Sequence, residues 1–411
     1  MDRLHSKNTV RYYLLIALSL VFLFFTNDFG LTDVQKTAIV MAVGIDREED
    51  TFIVTSQIAI PESSKQGQSS KTVQLVSRGK TIAKAFEEIN AKTGWYPKLI
   101  FCNLVVLGEK AAQANAFDAL DYFLRDEYLS DNCYVATCHG LAKDILDTTA
   151  LVDPSSSTAI QKVLSPHAER VGTVMPNTLK DFSIGYFSES KSGFLPVVQK
   201  QPQKEHVDGS TGDSGGGNGG SEGDSGGSGG AGGGAGGEKP SDNPVFSAGE
   251  TALFVNGKWV ETLQNEETFA LGAVLNKLRL AAYSVEREGR TCSLTIKQND
   301  PKITLHANTE DNFTLKIEVS MFAGMLDFSK AQSLDKIADA GDVPKEYFTY
   351  AAKKLESEIR TTYEKCKAVG CDVFGVRERL IKYERRRFHK HENTAFQNTR
   401  TEVTVRFRNL R

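Results

Sequence analysis

Two copies of Gly-Asp-Ser-Gly-Gly, at Gly212–Gly216 and Gly223–Gly227, are the first residues of this chain whose spacing could do chemistry. Each matches the nucleophile serine of trypsin-like proteases and the Gly-x-Ser-x-Gly elbow. A serine of that kind works only where a rigid backbone holds it against a histidine and oxyanion donors. Both copies lie instead in a Gly/Ser/Asp tract that holds 17 of the 35 glycines between Gly209 and Gly237. Such a composition predicts a flexible coil, not a scaffold. A Gly-x-Gly-x-x-Gly at Gly215, Gly217 and Gly220 fails in the same way, because no strand precedes it and no helix follows to present backbone N–H groups to a phosphate. The sequence therefore offers no catalytic residue and no cofactor-binding site.

Metal and thiol chemistry fare no better. There is no His-Glu-x-x-His, no P-loop and no Cys-x-x-Cys. His389 and His391 share a polar helix end, and Cys138-His139 has no partner at ligand spacing, so a surface or core role is the reading for each histidine. The six cysteines, Cys102, Cys133, Cys138, Cys292, Cys366 and Cys371, are too sparse for a disulfide scaffold. Cys133 and Cys138 fall on one strand-like run, too far apart to bridge. Cys366 and Cys371 flank a helix end and could approach. A net charge of −3 argues against a nucleic-acid binder, and 40% hydrophobic with 25% charged residues is the composition of a folded chain.

One charge cluster stands out. Arg377, Arg379, Lys382, Arg385, Arg386, Arg387 and Lys390 face only Glu378 and Glu384 in a single predicted helix. Arg377, Lys382, Arg385, Arg386 and Arg387 are the candidates for contact with anionic headgroups or an acidic partner. A solvated helix face is the other reading.

The elements that would position these groups begin with an apolar run. Tyr12 to Phe25 reads YYLLIALSLVFLFF after Arg3, Lys7 and Arg11, the layout of a secretory signal or amino-terminal anchor with its basic end in the cytoplasm. Tyr12, Leu15, Leu18, Phe22 and Phe25 are the anchor residues this implies, with the rest of the chain facing outward. Thr26 to Gly30 lacks the small residues a signal peptidase prefers, and no cysteine follows for lipidation, which favours an uncleaved transmembrane helix. The run alone covers about 21 Å, short of a hydrocarbon core of about 30 Å unless neighbouring residues contribute.

Beyond residue 30 the pattern predicts an α+β protein in three domains. In 31–155, AIVMAVGID and TFIVTSQIAI flank a polar turn at Arg47–Asp50 and predict a hairpin. Ile82, Ala85, Phe86 and Ile89 give a helix ending at Gly94, Leu99–Gly108 a strand, and Ala112 to Leu124 a second helix. A strand through Tyr134–Ala136 and a short helix from Leu141 follow. The second unit, 156–281, is predicted to carry the glycine tract as an enlarged loop, 201–244; an interdomain linker is the alternative. Within it, GETALFVNGKWVETL is a hairpin about Asn256-Gly257, the pair that a type I′ turn prefers. In the third, 282–411, three strand-like runs (Cys292–Lys297, Lys302–Ala307, Asn312–Met321) precede a helix over Val343–Ala368. Tyr347, Ala351, Leu355, Ile359, Tyr363 and Cys366 form its stripe. A second helix to His391 and a closing strand, Glu402–Phe407, complete it.

AIVMAVGID (38–46), RGKTIAKAFEEIN (78–90), GLAKDILDTT (140–149), ETALFVNGKWVETLQNEET (250–268) and the closing helix-then-EVTVRF arrangement together resemble the Ger(x)C family, the C subunits of spore nutrient germinant receptors. The resemblance implies a three-domain α+β protein on the outer face of the spore inner membrane, assembled with an integral membrane A subunit and a transporter-like B subunit. It implies a role in assembly or signal relay, not catalysis. A membrane-tethered extracytoplasmic solute-binding protein is the alternative. Family members typically carry a lipidated cysteine after the apolar run; Thr26 to Asp33 has none, so the helix itself would be the tether.

Overall fold

A computed structural model describes residues 11–21, 37–60, 71–148, 153, 155–165, 172–201, 245–287, 289–309, 312–328, 343–391 and 394–409. Both Gly-Asp-Ser-Gly-Gly copies, the Gly-x-Gly-x-x-Gly, Phe22 and Phe25 lie outside them. The first element, helix α1 (11–21), contains Tyr12, Leu15 and Leu18 with all three side chains exposed.

The expected hairpin is β1 (Thr37–Glu48) and β2 (Thr51–Ile60), joined at Glu49-Asp50 with Glu49 in the left-handed region (φ 50°). Strand β3 (Lys71–Gly79) pairs with β2 and is invisible in the sequence pattern, because as an edge strand it is mostly half-exposed on both faces and shows no in/out alternation. Helix α2 (Ile82–Thr93) buries the stripe Ile82, Ala85, Phe86 and Ile89, starts at Thr81, whose Oγ1 accepts the Lys84 N–H, and ends at Gly94 with φ 71°. These are ordinary caps of a short amphipathic helix.

The run Leu99–Gly108 is not one strand. A short β4 (Tyr96–Lys98) comes first, then a tight turn in which the Cys102 N–H donates to the Leu99 carbonyl (2.9 Å), and only Leu104–Leu107 forms β5. The turn exposes Ile100 and Phe101 while burying Leu99 and Cys102, so the apolar run divides between outside and inside. Helix α3 (Glu109–Arg125) is broken at Asn115, whose backbone is extended. Strand β6 (Tyr134–Thr137), α4 (Ala142–Leu146), α5 (Ser156–Leu164), α6 (Leu179–Phe187), β7 (Ser192–Gln201), β8 (Val245–Val255) and β9 (Lys258–Leu263) follow.

Among the described residues these nine strands make one mixed sheet, ordered β3-β2-β1-β5-β6-β7-β8-β9, with β4 beside the start of β1. β1, β5, β6 and β7 are parallel in the centre, with antiparallel wings on both sides. Helices α2, α3 and α6 supply the core on one face, α4 and α5 on the other. The expected boundary at residue 155 therefore does not separate two sheets: β7, β8 and β9 continue the sheet begun by β1. Buried Asp46 ties two distant motifs together, its oxygens accepting the Ala142 and Lys143 N–H groups (2.7 and 3.0 Å) at the start of α4. A side chain at Gly108 would collide with that carboxylate.

The β8–β9 hairpin turns at Asn256 (φ 51°) and Gly257 (φ 77°), the expected type I′ geometry. The Gly257 carbonyl accepts the Ala116 N–H (2.7 Å), so this turn plugs the break in α3.

Helix α7 (Asn265–Val274), buried from Thr268 to Val274, leads to a second, four-stranded sheet, β10-β11-β12-β13 (Ala281–Arg287, Arg290–Ala307, Phe313–Phe328, Thr399–Asn409). The runs Cys292–Lys297 and Lys302–Ala307 are one bulged strand, β11, that passes through Pro301. Proline is tolerated there because β10 pairs only with Arg290–Ile296, leaving the rest of β11 an edge with no strand for the missing N–H to face. Phe313, Leu315, Ile317, Val319, Met321 and Ala323 of β12 alternate inward against α8 (Lys345–Ala368), whose buried stripe runs through Ala351, Leu355, Ile359, Tyr363 and Cys366. Phe348 is also buried in its first turn; Tyr347 is only partly covered. Lys365 of α8 reaches the Thr262 carbonyl (2.8 Å) and Glu267 of α7 (2.9 Å). The expected second helix divides at Glu384 into α9 (Val376–Tyr383) and α10 (Arg385–His391).

Strands β7 and β8 pair out to Gln201↔Val245, so residues 202–244 leave and rejoin the sheet at one rung. The glycine tract thus lies within the connection of an antiparallel hairpin. Loop-closure cost grows by about 0.6 kcal/mol per doubling of length, so replacing 202–244 by a five-residue turn, about three doublings shorter, should stabilise the protein by about 2 kcal/mol. Urea denaturation of the shortened variant measures this, and a chain that no longer folds would contradict the hairpin.

Candidate functional site

A set of polar groups beside a cavity converges from chain positions about 180 residues apart. One side is the segment from Ser188 into β7; the other runs from Cys371, in the loop between α8 and α9, to Glu378 in the first turn of α9. The Asp372 N–H donates to Ser192 Oγ (2.9 Å), and Ser192 Oγ donates to the Ser190 carbonyl (2.9 Å). The Ser190 N–H donates to Glu378 Oε1 (3.2 Å), while Arg377 Nη1 reaches the Ser190 carbonyl at 3.5 Å. Cys371 Sγ lies 3.4 Å from the Phe254 carbonyl of β8. Beside these contacts a cavity of about 390 Å³ is lined by Asn177, Asp181, Phe194, Lys277, Asp372 and Glu378 among others.

Local geometry explains why the loop holds its shape. Gly375 adopts φ 70° immediately before α9, and Asp372 folds back to cap that helix, Oδ1 accepting the Val376 N–H (2.9 Å) and Oδ2 the Arg377 N–H (2.7 Å). These two bonds favour the carboxylate, but burial outweighs them and pushes the Asp372 pKa up from 3.8 to about 6. Burial likewise pushes the Cys371 thiol up to about 12, which leaves it an inert thiol. Two buried atoms of the junction, Arg377 Nε and Glu378 Oε2, have no hydrogen-bond partner among the described residues.

The basic cluster is divided by this arrangement. Arg377 is half-buried, with its guanidinium reaching into the junction, and Arg379 donates to the Phe374 and Gly375 carbonyls (2.7 and 2.8 Å). Lys382, which lies 5.2 Å over the Tyr383 ring, and Arg385 and Arg386 are exposed; Arg387 is partly covered beside Glu384 (3.8 Å). The break at Glu384 spreads these side chains over two short helices instead of one face.

All six cysteines are free and buried, Cys366 and Cys371 included, although the Cys371 N–H bonds the Cys366 carbonyl (2.9 Å). His139 pairs with Glu250 (3.2 Å) at the surface, and His389 stands beside Phe388. Among the described residues no group of three or more His, Cys, Asp or Glu is placed to hold a metal. Ser190, Ser192, Asp372 and Glu378 are not marked by any motif. An aspartate shortly before a helix start is a capping signal, but its serine partner from β7 is a purely tertiary neighbour.

Two family models match in order: "Spore germination protein N-terminal domain" over residues 31–200, and "Spore germination B3/ GerAC like, C-terminal" over residues 249–409. The chain belongs to the Ger(x)C family of germinant-receptor C subunits. Among curated Ger(x)C relatives, Spore germination protein B3 of Bacillus subtilis is 25% identical over 214 residues, 50% of this chain and 54% of that protein, so the match spans about half the relative's length. A solved structure titled "Crystal Structure of the GerBC protein" superposes with a TM-score of 0.52 at 15% identity, covering 90% of this chain and 97% of that one, and shows the same fold.

The two Ger(x)C segments are interlocked. β7 belongs to the first and most of β8 and all of β9 to the second, so the second segment completes the first one's sheet. The Asp372–Ser192 bond crosses between them again.

The raised pKa of Asp372 has a measurable sign. Between pH 4 and 6 the native carboxyl keeps a proton that the unfolded chain has released, so this group's contribution to stability falls as pH rises through that window and is flat above it. At about 1.4 kcal/mol per pH unit, the loss is about 3 kcal/mol. Urea unfolding from pH 4 to pH 7 should show this component in the wild type, and its absence in Asp372→Asn; parallel curves would contradict it.

Proposed function

We propose that this chain is the non-enzymatic C subunit of a nutrient germinant receptor, held by its amino-terminal helix on the outer face of the spore inner membrane. It acts there by contacts with the A and B membrane subunits in receptor assembly or signal relay. The observation that carries this reading is the pair of family segments, matched in order and folded into one interlocked unit. The tether is supported by α1, whose large apolar side chains Tyr12 to Val21 are 51–70% exposed. Exposure of that kind is costly in water and favourable in lipid. No helix among the described residues is by itself long and apolar enough to cross a membrane; α1 covers part of the apolar run. Of the five basic residues, Lys382, Arg385 and Arg386 are exposed and free to meet an acidic partner or headgroups, whereas Arg387 is partly covered and Arg377 reaches into the junction.

The cavity at the junction favours a second reading, a tethered solute-binding protein, because the acidic residues Asp181 and Glu378 are among those that line it. A small solute bearing an ammonium group is the kind such a lining suits. Thermal-shift screening of the protein with nutrients separates the two, since a subunit acting by contacts alone should show no shift at millimolar ligand.

Deletion of the gene should abolish spore response to particular nutrients while germination by added dipicolinate persists. Loss of both responses would sink the receptor reading. Complementation with Ser214→Ala/Ser225→Ala should restore the nutrient response in full, because neither serine is asked to act as a nucleophile.

A further inference from the structure

Strands β1, β4, β5 and β6 run parallel to one another, with β4 beside Thr37–Ile39 of β1 and β5, next to β6, beside Ala42–Ile45, so all four are entered from the same edge of the first sheet at staggered heights. Three connections therefore gather there: Gly94-Trp95 leading into β4, the turn Leu99–Asn103 between β4 and β5, and Asp126–Cys133 leading into β6. Each of them, or the strand it feeds, exposes large apolar side chains. Trp95, Tyr96, Ile100, Phe101 and Tyr128 are 43–56% exposed, while Leu99, Cys102 and Leu129 beside them are buried. Lys98 Nζ lies 4.7 Å over the Tyr128 ring, which holds the third connection against β4.

The chain from the apolar run enters the body at this same edge, because Thr37, the first residue of β1, pairs with Tyr96. Eleven residues, 26–36, separate Phe25 from Thr37. Fully extended they reach at most about 40 Å, so an anchored Tyr12–Phe25 keeps this edge within that distance of the membrane surface. Trp and Tyr with a nearby Lys are the side chains favoured at the lipid–water boundary, where an apolar ring can be buried while its N–H, O–H or ammonium stays wet. The charges in the loops are mixed, with Asp126, Glu127 and Asp131 against Lys98, and Asp126 is occupied in capping the Tyr128 and Leu129 N–H groups (2.9 and 3.1 Å). Attraction to anionic lipid therefore does not drive contact here; ring burial does.

We propose that Trp95, Tyr96, Ile100, Phe101 and Tyr128 dip into the headgroup region of the bilayer beside the amino-terminal helix, and so fix the orientation of the extracytoplasmic body. This rests on the membrane-tether reading above. It adds a second, non-covalent contact that sets which face of the body looks away from the lipid.

The chain has two tryptophans, Trp95 and Trp259, so Trp259→Phe leaves a single reporter within the patch. Full-length Trp259→Phe protein is reconstituted into phosphatidylcholine vesicles with and without lipid brominated near the headgroup end of its chains. The expected result is flotation with the vesicles and loss of Trp95 emission with brominated lipid, unchanged by high salt. In the same background, Ile100→Ser/Phe101→Ser should float equally well but recover the emission, with unchanged circular dichroism. Flotation without quenching would overturn the proposal and leave the tether intact. Failure to float would overturn both. Quenching that requires added spore inner-membrane protein would overturn the lipid contact in favour of a protein partner.

Discussion

Antiparallel pairing of β7 with β8 is the constraint on which the molecule's unity depends. It carries the chain from the parallel centre of the first sheet to its outer wing, and it joins the two family segments by main-chain hydrogen bonds instead of a tether. Its rungs continue to Gln201↔Val245, so the connection of 202–244 begins and ends at one place. Length there costs only a logarithmic closure term, which explains how a tract so rich in glycine can sit inside a sheet protein without separating its halves.

From that pairing the rest follows by packing. β8 feeds β9, whose hairpin tip fills the break in α3, and β9 feeds α7, which is buried because it lies under the second sheet as well as against the first. The hydrophobic cluster of the second sheet accordingly includes Leu253 and Leu263 from the first. Lys365 and the Asp372–Ser192 contact then connect the second lobe back to the first at separate points. The two sheets are therefore joined at several points and not through a single linker.

The junction also holds polar groups that are poorly satisfied. Asp372 is buried against its charge preference, and Arg377 Nε and Glu378 Oε2 lack partners. Buried polar groups left in that condition lower the stability of one arrangement and so lower the cost of changing it. The same neighbourhood contains the cavity lined by Asp372 and Glu378.

Local order was legible in the sequence. The β1–β2 hairpin, α2 with its cap at Gly94, the type I′ turn at Asn256-Gly257, the inward alternation of β12 and the stripe of α8 are each set by neighbours within a few residues, through periodicity of 2 or 3.6 or through residues that tolerate a left-handed backbone. So were the apolar run and the family. What failed was whatever depended on distant chain. β3 shows no alternation because an edge strand is half-exposed on both faces, Leu99–Asn103 looks like a strand but turns because β4 and β5 both align with β1, and Pro301 sits inside β11 because β10 ends short of it. The joining of β7, β8 and β9 to the first sheet, the meeting of Ser192 with Asp372 and the placing of exposed Tyr96 beside Thr37 were decided by tertiary structure alone. Spacing along a sequence specifies which face a residue occupies; only the sheet order specifies what that face meets.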